Sequence, residues 1–137
     1  MNKVSIFDLT DKFTPKLDLI RRQALKILRL FKKDRVAVFI YLADDKIMKF
    51  YNKKFRGKDK TASVLSFNEP KNFPHPESRL QPLGEIYLKF PITNYPITQL
   101  LIHGLLHLLG YSHKGKNDRI RMEKKEKLVM RTLKFYK

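Results

Sequence analysis

Three of the four histidines in this 137-residue chain, His103, His107 and His113, lie in one segment, LLIHGLLHLLGYSHKG at 100–115. His103 and His107 are four residues apart. In an α-helix that separation is about 40° around the axis and about 6 Å along it, so both rings can aim at one point. Gly110 follows three residues later, a residue type that takes the left-handed conformation without a side-chain penalty and so can stop a helix and reverse the chain. His113 comes three residues after it, placed to return toward the first two. Three imidazoles with a fourth position open are how a catalytic zinc site is built. The bland alternative is a set of hydrogen-bonded core histidines, which accounts for one such residue far better than for three at this spacing.

The same spacing occurs in metzincin peptidases, where the first histidine is followed by a glutamate acting as general base. Here that position is Gly104, so the sequence reads as a metal site without peptidase chemistry. Glycine inside a helix costs about 1 kcal/mol relative to alanine. Either close approach of a substrate backbone or tight packing against a neighbouring element must offset that cost, and both stand open at this stage. His75 falls in a proline-rich loop and reads as a surface residue.

The elements that must hold these residues follow from periodicity. VSIF at 4–7 reads as a first strand. Thr14 and Pro15 make a helix-start signal, and Leu17, Ile20, Ala24, Ile27 and Phe31 follow with helical spacing, leaving Arg21, Arg22, Lys26 and Arg29 on a basic wet face. RVAVFIYLA at 35–43 reads as a buried strand. Asp44 or Asp45 caps a second helix with Ile47, Phe50, Tyr51 and Phe55 as its expected apolar stripe and Gly57 at its end. SVLSF (63–67) and GEIYLKF (84–90) read as two further strands, and the proline-rich stretch 68–82 between them as a loop. Helices at 97–109 and 118–133 complete the order β-α-β-α-β-β-α-α. The fold class expected is α/β (α+β): one domain over 1–137, with a small mixed four-stranded sheet packed by about four helices.

Composition narrows the partners. Thirty Lys and Arg against thirteen Asp and Glu give a net charge of +17. A solvated surface needs nothing so lopsided, although a general lysine bias would supply part of it, and RNA, DNA or anionic lipid are the candidate anions. Residues 114–137 alone carry ten Lys and Arg against Asp118, Glu123 and Glu126. The longest apolar run, VAVFIYLA at 36–43, is too short for a bilayer span, and MNKVSIFDLT lacks a signal core. With no cysteine, thiolate ligands and thiol catalysis are excluded, any metal must be held by His, Asp or Glu, and a reducing cytoplasm is the expected location.

HGLLHLLGYSH resembles the motif of the YbeY family of metal-dependent endoribonucleases involved in ribosomal RNA maturation. NKKFRGKDKTASVLSF at 52–67 is similar to that family's arginine–glycine segment leading into a Val-Leu-Ser-Phe strand, and LGEIYL at 83–88 to its Leu-Gly-Asp-Ile strand, with Glu85 for Asp. Met122 and Glu126 fit its last helix. The resemblance implies a compact α/β fold, one divalent ion (zinc by preference) on His103, His107 and His113, and a cleft in which Arg56 acts. It further implies cleavage of single-stranded RNA, with ribosomal RNA or a ribosomal subunit as partner, and no membrane. Thr61, Ala62 and Ser63 depart from the family's Pro-Thr-Asp or Pro-Thr-Asn, so no role is carried onto them. Three other readings compete: a non-catalytic RNA- or ribosome-binding assembly factor with a structural metal, another zinc-type metallohydrolase, and peptidase activity, already weakened by Gly104.

Overall fold

The computed structural model describes residues 1–10, 17–69, 80–90, 97–112 and 114–135. Within them the chain runs β1 (Lys3–Asp8), α1 (Leu17–Leu30), β2 (Val36–Ala43), α2 (Asp45–Arg56), β3 (Val64–Asn68), β4 (Gln81–Lys89), α3 (Ile97–Leu108) and α4 (Lys116–Phe135). This is the expected element order, in one α/β domain. β4 begins three residues earlier than the sequence indicates, and α4 two. The Thr14–Pro15 helix start, His75, His113 and residues 70–79 of the proline-rich stretch lie outside the described residues.

The four strands form one mixed sheet in the order β1-β2-β4-β3. β2 pairs in parallel with both β1 and β4, whereas β3 and β4 are antiparallel. Side chains alternate between the two faces of a strand, and the sheet uses both. Val4, Ile6, Val38, Ile40, Leu42, Ile86 and Leu88 face a large core shared with Ile20, Ala24, Ile27 and Leu28 of α1, Leu101, Ile102 and Leu105 of α3, and Met122, Val129 and Leu133 of α4. The opposite face carries Leu65 and Tyr87, covered by Met48, Ile47 and Tyr51 of α2.

α2 is held at both ends. Asp44 Oδ1 accepts the backbone N–H of Ile47 at 2.9 Å, an N-cap that satisfies an otherwise orphaned donor, and Gly57 ends the helix with φ 68°. Its apolar stripe differs from the sequence reading. Met48 and Asn52 are buried and Ile47 and Tyr51 half-buried, while Phe50 and Phe55 are 59% and 54% exposed. At about 100° per residue, Phe50 stands some 200° round the helix from Met48 and so faces away from the sheet. Phe55 lies near the stripe but on the last turn, where less of the sheet is left to cover it. The buried Asn52 instead donates from Nδ2 to the Lys60 carbonyl at 2.8 Å, tying the chain after Gly57 back to the helix.

Candidate metal centre and phosphate pocket

α3 leans on the edge strand β3. Gly104 makes this possible: a Cβ at that position would stand 2.9 Å from Ile86 Cγ2 and 3.2 Å from Ser66 Oγ. Tight packing against the sheet is therefore what glycine serves here. A glutamate at 104 would be driven into β3 and β4 instead of toward the pocket, so the metzincin base is excluded by geometry as well as by residue type. Two side chains of β3 bind the helix backbone: Ser66 Oγ donates to the Gly104 carbonyl at 3.2 Å, and Asn68 Nδ2 to the Leu108 carbonyl at 3.1 Å.

The helix ends as the sequence indicates. Gly110 takes φ 105°. The Tyr111 N–H returns to the Leu106 carbonyl at 3.0 Å and the Gly110 N–H to the His107 carbonyl at 3.1 Å, the paired bonds of a Schellman motif. Tyr111 then packs on the main core and meets the Phe31 ring edge-on, 6.2 Å between centroids.

His103 and His107 converge. Their Nε2 atoms are 3.2 Å apart, and His103 Nδ1 lies 2.8 Å from Glu126 Oε1 on α4. A carboxylate beside Nδ1 accepts its proton, which leaves the Nε2 lone pair of His103 facing His107. Two nitrogens on one tetrahedral zinc at 2.0–2.1 Å stand about 3.3 Å apart, so the observed separation, with the tautomer that the Glu126 carboxylate selects, fits a shared ion. Imidazole donors suit zinc, copper, iron or nickel better than magnesium or calcium. Among the described residues no third His, Asp or Glu completes a ligand set, and His113, the expected third ligand, falls outside them.

The two imidazoles line an open pocket of about 340 Å³ together with Arg56, Val64, Ser66, Ser112 and Lys114. Arg56 thus reaches the same pocket as His103 and His107, from the last turn of α2. Ser112 and Lys114, the chain neighbours of His113, line it as well. Among the described lining residues none of Thr61, Ala62 and Ser63 occurs; Ala62 packs against the smaller core instead.

Sequence reasoning gave Glu126 no part in the site. A signal was there: Met122, Glu126, Val129 and Leu133 fall on one stripe of α4, three of them buried, and a carboxylate on such a stripe needs a partner. Glu126 keeps 19% of its side chain exposed and finds His103. Ser66 and Lys114 carried no such mark.

A family model for Endoribonuclease YbeY matches residues 6–134. The chain belongs to the YbeY family. The YbeY endoribonuclease of Persephonella marina is 36% identical over 125 residues, covering 82% of this chain and 80% of its own length. That of Neorickettsia sennetsu is 31% identical over 128 residues, covering 85% of each. The solution structure of TM1509 from Thermotoga maritima shares the fold of this chain with a TM-score of 0.55 at 24% identity, covering 97% of this chain and 93% of that one. No described helix is long and apolar enough to cross a membrane.

Proposed function

We propose that this chain is a metal-dependent endoribonuclease that cleaves single-stranded RNA, holding one divalent ion, zinc by preference, on His103, His107 and His113. The observation that carries the reading is the 3.2 Å approach of the two Nε2 atoms, with Glu126 behind His103, in a pocket that Arg56 also lines. When bound, such an ion polarises a phosphoryl oxygen or brings the pKa of a water to about 7.

The chain's own groups do the rest. Glu126 fixes the tautomer and orientation of His103. Arg56, at the last residue of α2, offers a planar fork of donors to a phosphate and to the charge that builds on it during cleavage. Lys114 adds a second positive charge on the same pocket, and Val64 gives it an apolar wall. The net charge of +17 supports a polyanionic substrate, and family membership extends the reading to ribosomal RNA maturation and ribosome quality control in the cytoplasm.

The test is metal content by elemental analysis beside cleavage of an unstructured RNA. It uses the wild type, His103→Ala, His107→Ala, His113→Ala and Arg56→Ala. Each histidine variant is expected to lose both metal and cleavage, whereas Arg56→Ala keeps metal and loses most of its rate. Metal retained by all three histidine variants, or equal inertness of the metal-loaded wild type and His103→Ala, refutes the proposal.

A further inference from the structure

Phe50 and Phe55, which the helical pattern assigns to the core, are instead the two large exposed apolar side chains of α2. Single exposed apolar residues are ordinary on a protein surface. These two are not single. Lys54 places its ammonium over both rings, 5.8 Å from the Phe50 centroid and 5.3 Å from that of Phe55. Phe55 also stacks near-parallel to Tyr51 (5.8 Å, 10°) and meets Phe67 at 5.3 Å. Arg56, which follows Phe55 on α2, lines the pocket. The run Lys53-Lys54-Phe55-Arg56 thus sets two cations and a ring directly before the pocket arginine, and three of its four members are basic.

From this we infer that Phe50, Lys54 and Phe55 form a nucleobase-stacking subsite for single-stranded RNA, next to the pocket and leading its backbone to Arg56. The inference rests on the nuclease reading above. Every base has a π-face, so an exposed phenyl ring accepts one whatever the sequence. The ammonium of Lys54 covers both rings in the unliganded chain through cation–π attraction. A base stacking on either ring displaces it, and a phosphate beside that base gives the displaced charge its partner. An aromatic patch for a protein partner would instead be expected to shed charge at its centre. Here a lysine occupies the centre, so the observations favour RNA.

The assay uses the full chain and a single-stranded RNA oligonucleotide carrying 2-aminopurine, whose fluorescence falls when it stacks. Binding is followed with chelator present, and steady-state cleavage with metal-loaded protein. Phe50→Leu and Phe55→Leu keep apolar bulk and remove the ring. Each is expected to abolish quenching at some position of the oligonucleotide and to raise KM roughly tenfold with kcat held. Phe50 meets Tyr51 edge-on, whereas Phe55 touches both Tyr51 and Phe67, so Phe50→Leu, at the more exposed ring, carries the test if Phe55→Leu does not fold. A wild type that cleaves while both folded variants match it in quenching and KM overturns the subsite and leaves the nuclease standing. Variants that behave as wild type toward RNA but lose a protein partner reassign the rings to that partner, which also overturns it. A wild type that neither binds nor cleaves RNA removes the nuclease reading and the subsite together.

Discussion

Gly104→Ala separates a glycine kept for packing from one that is incidental. In an open helix interior the change stabilises by about 1 kcal/mol through helix propensity. Here the new Cβ would meet Ile86 Cγ2 at 2.9 Å, Ser66 Oγ at 3.2 Å and Ile86 Cδ1 at 3.3 Å. Ile86 is fully buried, and its γ2 methyl hangs on a branched Cβ with little rotamer freedom. Overpacking of this kind costs about 1–3 kcal/mol. Set against the propensity gain, the net effect is a loss of about 0–2 kcal/mol. With a urea slope of about 1.5 kcal/mol/M, the unfolding midpoint falls by up to about 1.3 M. Ile86→Leu moves the branch away from Cβ, so the double variant should recover about 1 kcal/mol relative to additivity. Urea unfolding of the four chains by circular dichroism reads this directly. A Gly104→Ala protein more stable than wild type by about 1 kcal/mol would falsify the close packing of α3 on the sheet. The same variant pushes α3 away from β3, so metal affinity should drop alongside stability.

Three further outcomes are expected. Glu126→Gln keeps an acceptor for His103 but removes the charge, and should weaken zinc binding roughly tenfold, about 1.4 kcal/mol, in a chelator competition titration; unchanged affinity argues that the carboxylate does not orient the ring. Lys114→Gln should lower the slope of log binding constant against log salt for single-stranded RNA by about 0.7, the share of one phosphate contact, and an unaltered slope removes Lys114 from the RNA path. Burial, and next the Glu85 carboxylate, push the Tyr87 hydroxyl above its ordinary value of 10.0, and burial does the same at Tyr41. The unfolded chain then loses these protons first, so stability holds below pH 10 and declines as pH rises from there; Tyr87→Phe should flatten the decline in urea midpoints measured between pH 9 and 12.

Much of this was legible before any coordinates, and the reason lies in where the information is local. The i, i+4 spacing of His103 and His107 dictates their convergence wherever they sit on a helix, and the freedom of Gly110 dictates the stop. Strand β2 is apolar on both sides because both sheet faces are covered, which the run VAVFIYLA displays directly. What stayed hidden depends on tertiary placement. Phe50 and Phe55 share a helix with Tyr51; which side of α2 meets the sheet decides for Phe50, and how far the sheet extends beneath the last turn decides for Phe55. The duty of Gly104 depends on Ile86, eighteen residues upstream on another element. Glu126 shows only as a carboxylate on a buried stripe until α4 is laid against α3.

The two side-chain bonds from β3 to α3 have a metric consequence. Ser66 and Asn68 are two residues apart on a strand, about 6.7 Å, and the carbonyls they hold, at 104 and 108, are four apart on a helix, about 6 Å. The strand therefore works as a ruler with two matching graduations. Each graduation falls one residue past an imidazole, so the same match that moors the helix spaces its two rings. One residue inserted between them would turn His107 by about 100° and leave Asn68 without its mark. The tolerance for length change in this stretch is accordingly nil.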